Sequence, residues 1–405
     1  MCASNSLVKV IELKPTPPGN NLLKKEELGN IENVYPLDLY LCEKCGHLQL
    51  GHIVDPAILY KNDYSYVSAT SSHFVSHLKN YASEMIKRFN IEPSTLVADI
   101  GSNDGTCLSF FKAKGMRVIG VDPASKIADR ATELGIETIA NFFSYDLAKT
   151  LRKERGPAGF ITSHNACAHI DDLDDVVRGV EHWLDDDGLF VIEVGYLYDV
   201  YTNTWFDTIY HEHLDYHTVA PLKKFFDRFE MEIISVQRVS PQGGSIRVIV
   251  QKKRGKLKED KTVEALIQME RDTGLFEKST FYSFNERIND VRDNLSLLLK
   301  KLKKEGKKIA GYGAPTKATT LMQHFNLSSE ILDFIVDDNP LKQDHYTPIT
   351  HIPITSSDSL YARKPDYVLI LAWNFSDQII EMHRRYSNEI GHFIVPMPFP
   401  KVVNC

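Results

Sequence analysis

Two stretches of this chain read as a strand running through a glycine turn into a helix, and together they bound the folds open to it. The first is Val97-Ala98-Asp99-Ile100-Gly101-Ser102-Asn103-Asp104-Gly105-Thr106; the second is Lys308-Ile309-Ala310-Gly311-Tyr312-Gly313-Ala314-Pro315-Thr316-Lys317. In each, glycine lets the backbone approach a ligand closely, and the helix start offers N–H groups. Each is followed by an apolar strand that ends in acid: 118–121 before Asp122, and 331–336 before Asp337 and Asp338. Around the first unit, strand patterns at Leu96–Ile100, 117–121, 158–163 and 188–194 alternate with helical patterns at 74–89 and 106–114. Such alternation predicts a parallel sheet with covering helices. The second unit follows helical patterns at 263–270 and 285–304 and continues through a helix at 318–325 and a strand at 367–372. In 285–304, Ile288, Val291, Leu295, Leu298 and Leu302 keep close to a 3.6-residue period.

A length of 405 residues suits two or three domains. Residues 1–60 are rich in turn formers (Pro15, Pro17, Pro18, Gly19, Gly29, Pro36) around strand-like pieces at 7–13 and 37–41. So short a segment has little core of its own, and a metal would stabilise it. The expected divisions are 1–60, 61–255 and 256–405, with Lys252-Lys253-Arg254-Gly255-Lys256 as a solvated junction. That basic run has no interleaved aromatics, so it reads as a charged turn and not as a nucleic-acid patch. With 43% hydrophobic and 25% charged residues the chain has the mix of a soluble globular protein, and its net charge of −7 does not demand a polyanion partner. Apolar runs such as 368–373 fall far short of the roughly 20 residues of a membrane span. No basic start and apolar core open the chain, so a cytoplasmic protein without nucleic-acid or membrane partners is expected. Monomer and homo-oligomer both stay open.

The first glycine turn lacks the G-x-G-x-x-G spacing that cradles a pyrophosphate, and it places Asp99 and Asp104 in or beside the loop. Acid there disfavours phosphate and suits a cationic ligand. Asp122, at the tip of the second strand, is placed to accept from ribose hydroxyls. S-adenosylmethionine, with its sulfonium, ammonium and ribose, fits better than NAD. The expected cofactor residues are Asp99, Gly101, Asn103, Asp104, Gly105 and Asp122; an ordinary strand–turn–helix corner is the bland alternative. The two segments resemble the first two motifs of class I methyltransferases.

Ile209-Tyr210-His211-Glu212-His213-Leu214-Asp215-Tyr216-His217 concentrates three histidines, two tyrosines and two acids. Histidine accepts and returns protons near neutral pH, and Glu212 could orient His213 or raise its basicity. Metal ligation by His211, Glu212 and His213 is a weaker alternative, since the H-E-x-x-H spacing is absent, although a strand would put both histidines on one face. The plainest reading is a polar surface loop.

Further motifs stand in order along the chain: Cys42-Glu43-Lys44-Cys45-Gly46-His47-Leu48-Gln49-Leu50, Tyr64-Ser65-Tyr66-Val67-Ser68, and His164-Asn165-Ala166-Cys167-Ala168-His169-Ile170. Gln242-Gly243-Gly244-Ser245-Ile246-Arg247 and Asp337-Asp338-Asn339-Pro340 follow. With the segments above, they make nearly the whole chain similar to the sugar-nucleotide C-methyltransferases that act at C-3 of deoxy-4-keto sugars. The resemblance implies an α/β protein with a class I methyltransferase Rossmann-like central domain, a second Rossmann-like C-terminal domain and a small N-terminal zinc-binding module. It implies S-adenosylmethionine and structural Zn2+ as cofactors. It implies a nucleotide-linked 4-keto sugar as substrate, deprotonated beside the ketone and methylated on the enolate. Carried over by motif, His213 is the general base, Tyr210 and Glu212 support the site, and His169 is a second active-site histidine. One of Tyr64 and Tyr66 reaches in from the N-terminal side, Tyr64 being preferred as catalytic and Tyr66 as substrate-binding.

The family pattern pairs two Cys-x-x-Cys motifs for zinc. Here Cys42 and Cys45 form the second, while the first reads Cys2-Ala3-Ser4-Asn5, so one cysteine is absent. The expected ligands are Cys2, Cys42 and Cys45, with His47 or His52 to complete the shell; weak binding, loss of the metal, or a redox role of the lone pair are the alternatives. In the second glycine turn, Gly313 and Lys317 are the expected contacts for a substrate diphosphate. A structural corner weighs equally, and an NAD(P)-dependent sugar oxidoreductase using Gly311 and Gly313 is the alternative enzyme. A ligand sensor is the non-enzyme alternative, which the His-rich cluster disfavours.

Overall fold

The protein is described from a computed structural model over residues 1–60 and 67–403. Its largest sheet has seven strands in the order Met231–Val239, Ser245–Lys252, Leu184–Gly195, Ala158–His164, Leu96–Ile100, Arg117–Asp122, Thr138–Ala140. The five from Leu184–Gly195 onward run parallel, whereas Ser245–Lys252 is antiparallel to both neighbours. Leu96–Ile100 is buried along its whole length, as a strand covered on both faces must be. One face packs the helices Ser72–Phe89 and Thr106–Lys112 through Tyr81, Met85, Leu108 and Phe111. The other packs Leu173–Trp183 and Lys261–Asp272 through Val176, Val180, Trp183 and Val263. Chain order reverses between Leu96–Ile100 and Ala158–His164, so the crevice at their carboxyl ends is where a doubly wound sheet takes a ligand. The class I methyltransferase-like, Rossmann-type centre expected from the sequence is present.

Two details differ from the sequence reading. Helix Lys261–Asp272 lies beyond residue 255 yet stays in the central core, and the change of core comes between it and the helix Lys278–Lys304. Lys252 is not part of a solvated turn: it ends a strand, is buried, and lies 3.7 Å from both Glu181 and Asp186. Lys253, Arg254 and Lys256 do sit at the surface, paired with Asp227, Asp186 and Asp187.

The C-terminal sheet has the order Ile354–Thr355, Ile335–Val336, Ile309–Tyr312, Tyr367–Ile370, His392–Val395, Lys401–Val403, parallel except for the last strand. The strand expected over 331–336 is only Ile335–Val336, because Ile331 and Leu332 turn back to bond Ser328. Lys278–Lys304 begins earlier than 285, since Phe281 and Phe284 extend its buried stripe.

The third sheet joins Leu7–Ile11, Leu39–Cys42 and Leu48–Leu50 to Asp215–Tyr216 of the His-rich segment. Leu48 pairs with Tyr216, and Gln49 with Asp215. Residues Val10, Leu39, Leu41 and Leu50 pool their core with Phe281, Phe284 and Ile288 of the long helix. The small N-terminal segment thus borrows the core it could not build alone. Among the described residues, no helix is long and apolar enough to cross a membrane.

Candidate active site

In the central crevice, the six expected cofactor residues come together. Gly101 turns the chain at φ +73°, and a Cβ there would stand 2.5 Å from Ala166 Cβ, so the turn requires glycine. Asp122 Oδ2 accepts from the Asn103 backbone N–H at 2.8 Å and Oδ1 from that of Ala124 at 2.9 Å, which joins the two strand ends. Each oxygen keeps a lone pair for a ribose hydroxyl. Asp99 is buried, and its Oδ1 has no hydrogen-bond partner among the described residues. Burial, reinforced by Asp122, raises its carboxyl well above the usual range. A cationic donor would satisfy that oxygen, so the donor set fits S-adenosylmethionine. Asn103 and Asp104 also hold the neighbouring turn: Asn103 Oδ1 accepts from Ser68 N–H and Asp104 Oδ2 from Ala69 N–H, both at 2.9 Å. Asp104 Oδ1 caps the next helix through Thr106.

The structure brings His213, Tyr210 and His169 together. His213 Nδ1 lies 2.8 Å from the Thr208 carbonyl. A carbonyl only accepts, so Nδ1 carries the proton. Burial holds the ring down to about 4, hence neutral at pH 7, and Nε2 keeps its lone pair, 2.8 Å from the Tyr210 hydroxyl. That hydroxyl therefore donates to Nε2. The His169 ring meets His213 edge-on at 4.9 Å and is held down to about 3 by burial and then by His213. Residues 210–212 form a turn that precedes the strand Asp215–Tyr216, so His211 leaves the site and meets the Tyr35 carbonyl at 3.2 Å. The shared face that a metal reading would need is absent.

Glu212 is buried, with Asn20 Nδ2 at 3.4 Å, and burial pushes its carboxyl up to about 7 against that contact. A carboxyl raised in the fold above its ordinary 4.5 adds stability below pH 4.5 and loses it as pH rises through about 7. Glu212→Gln is neutral at every pH. It is expected to gain stability over the parent by up to about 3 kcal/mol at pH 8 and far less at pH 5. Urea unfolding at the two pH values measures this, and an equal difference at both would contradict it.

Tyr64 and Tyr66 fall outside the described residues. Gly313 and Lys317 lie in the C-terminal unit, and Lys317 faces Asp207, just before the His-rich segment. Lys317 Nζ is 3.6 Å from Asp207 Oδ2 and 4.1 Å from the centre of the Trp373 ring. Gly313 turns at φ +87°, and its missing Cβ leaves room for Ala372. Asp337 accepts from the Ala314 N–H at 2.7 Å and Asp338 from the Tyr312 hydroxyl at 2.6 Å.

Cys2, Cys42 and Cys45 bring their sulfurs within 4.8 Å of one another. Burial pushes Cys45 up to about 12. Three converging thiols, two from the turn between Leu39–Cys42 and Leu48–Leu50 and one from Cys2 ahead of the first strand, suit a thiophilic ion such as Zn2+, whose charge would reverse that shift. Neither expected fourth ligand joins them among the described residues: His47 is bonded to Asp215 at 2.5 Å, and His52 stacks on Tyr35.

Sequence reasoning missed Asp207 and a buried network around Glu193. The Glu193 carboxylate takes Arg247 Nε on one oxygen and His77 Nε2 on the other, each at 2.7 Å. Arg247 extends to Glu84. One acid inside the apolar run 188–194 was the available signal.

Comparison with known proteins gives matches along the chain. Residues 1–60 match a family model described as "putative zinc binding domain", 69–236 one described as "methyltransferase domain", and 240–398 one described as "C-methyltransferase C-terminal domain". C-methyltransferase NovU of Streptomyces niveus is 33% identical over 405 residues, covering all of this chain and 96% of that protein. Among solved structures, the PH0226 protein of Pyrococcus horikoshii is 14% identical with a TM-score of 0.39, over 48% of this chain and 97% of that one. Magnesium protoporphyrin IX methyltransferase of Synechocystis with bound SAM is 13% identical with a TM-score of 0.33, over 44% of this chain and 79% of that one.

Proposed function

The chain belongs to the C-methyltransferase family, and from that premise we propose that it methylates C-3, beside the ketone, of a nucleotide-linked 4-keto deoxysugar. The observation that carries the reading is the fixed tautomer of His213, whose Nε2 lone pair faces the Tyr210 hydroxyl. A C–H beside a ketone yields its proton when the developing oxyanion is stabilised as the base acts. In this reading the Tyr210 hydroxyl turns from Nε2 to the substrate oxygen. That turn frees Nε2 for the C–H proton, while the Thr208 carbonyl holds the imidazolium that forms. His169 borders the same space, and Glu212 is a neutral or ionised neighbour according to pH.

Asp99, Gly101, Gly105 and Asp122 would hold S-adenosylmethionine, which when bound supplies an electrophilic methyl on sulfonium. The rest of the task would be alignment of the enolate carbon with that methyl, a positioning role for the residues around the crevice. Cys2, Cys42 and Cys45 would hold Zn2+ in a structural role. Incubation of the protein in D2O with a panel of nucleotide-linked 4-keto sugars tests the proposal. Exchange at C-3 is expected for at least one sugar; binding without exchange across the panel would refute enolate chemistry.

A further inference from the structure

Asp207 is fully buried in the short turn Phe206–Thr208, directly before the residue whose carbonyl fixes His213. Its Oδ2 accepts from Trp373 Nε1–H at 2.6 Å and faces Lys317 at 3.6 Å. Its Oδ1 is buried with no hydrogen-bond partner among the described residues. Lys317 caps the helix Ala318–His324 and Trp373 opens the turn Trp373–Phe375, both in the C-terminal unit, so the contacts of Asp207 join that unit to the turn beside His213. A second bond runs alongside, from Thr320 Oγ1 to the Ile209 carbonyl at 2.8 Å. The Lys317 side chain is 16% exposed, at the mouth of the loop that carries Gly313.

We propose that Lys317 links substrate diphosphate to Asp207, so that occupancy by the nucleotide half of the substrate sets the position of His213. This rests on Lys317 being the diphosphate contact. An ammonium has three donors, and a dianion on its open side competes with Asp207 for them. Asp207 has no other charged partner among the described residues, so its turn must follow the ammonium or leave a carboxylate buried without a counter-charge. Burial already acts against both charges, raising Asp207 and lowering Lys317, and each offsets the effect on the other. The next carbonyl along the turn, that of Thr208, is the one bonded to His213 Nδ1. Binding energy from the remote nucleotide is thereby used at the reacting carbon and appears in kcat. Asp207 is a positioning residue in this scheme.

The test uses Asp207→Asn, Lys317→Met and the double variant, with C-3 proton exchange in D2O as the readout. Thymidine diphosphate, uridine diphosphate and pyrophosphate serve as binding probes. Lys317→Met is expected to weaken nucleoside diphosphate binding at least tenfold, and Asp207→Asn to leave it within about threefold. Asp207→Asn is expected to lower kcat for exchange on the order of ten- to a hundredfold with KM little changed, the scale of a small misplacement of a catalytic group. The double variant should then be no slower than the slower single variant. Unchanged diphosphate binding in Lys317→Met would remove the underlying contact. Weakened binding with multiplicative losses in the double variant would overturn the link alone. Should Asp207→Asn fail to fold, Trp373→Phe withdraws the indole donor from the same carboxylate and enters the same cycle.

Discussion

Replacing His213 with asparagine is expected to cut C-3 proton exchange and methyl transfer together, on the order of 10²–10⁴-fold. Asparagine can keep a side-chain N–H for the Thr208 carbonyl, which His213 Nδ1 now meets at 2.8 Å, but it has no equivalent of Nε2. The substitution thus removes the base while sparing the bond that holds the turn. S-adenosylmethionine binding by calorimetry should stay near the parent value, because the expected cofactor residues lie at the strand ends of the central sheet and not in this turn. Full exchange in His213→Asn would remove the residue from its proposed role. A loss of cofactor binding equal to the loss of rate would point to a general disturbance.

The second large effect is expected from the thiol cluster. Cys45→Ser, or exhaustive chelation, should lower stability on the order of several kcal/mol, a fraction of what structural zinc contributes in small isolated domains. Activity should fall with it. The turn Cys42–Cys45 leads into Leu48–Leu50, and that strand pairs directly with Asp215–Tyr216, two residues past His213. Asp215 is also bonded to His47, which burial and the bond together place firmly in this interface. Elemental analysis alongside thermal unfolding and methyl transfer checks the expectation. Protein stripped of metal that kept its unfolding midpoint and rate would show that the thiols serve no such purpose.

How far the sequence reaches depends on how local the physics is. The turn at Gly101 is legible because strand, glycine and helix occupy one short run, and the His-rich segment is legible from its composition. Asp207 is not, since the indole it bonds stands 166 positions away and nothing near it distinguishes it from an exposed acid. Glu193 had a faint signal, an acid in an apolar strand, but its partners His77 and Arg247 come from distant elements. The apolar run 331–336 is longer than its strand because Leu332 and Phe334 are buried in the core from the irregular segment that precedes Ile335–Val336. His47 read as a metal ligand because of its closeness in sequence to Cys45. The fold places Asp215 opposite it, and a carboxylate claims the ring.

The strand Asp215–Tyr216 also dictates an order of events during synthesis. Its partner His47 lies 168 positions earlier, and the core beneath Leu39 and Leu41 is completed by Phe281, Phe284 and Ile288. The first module leaves the ribosome long before anything it can close upon, and its sheet stays open until the long helix has followed. His213, the proposed base, is therefore seated only once the helix Lys278–Lys304 has been made, and a product terminated before it carries the motif but not the folded site.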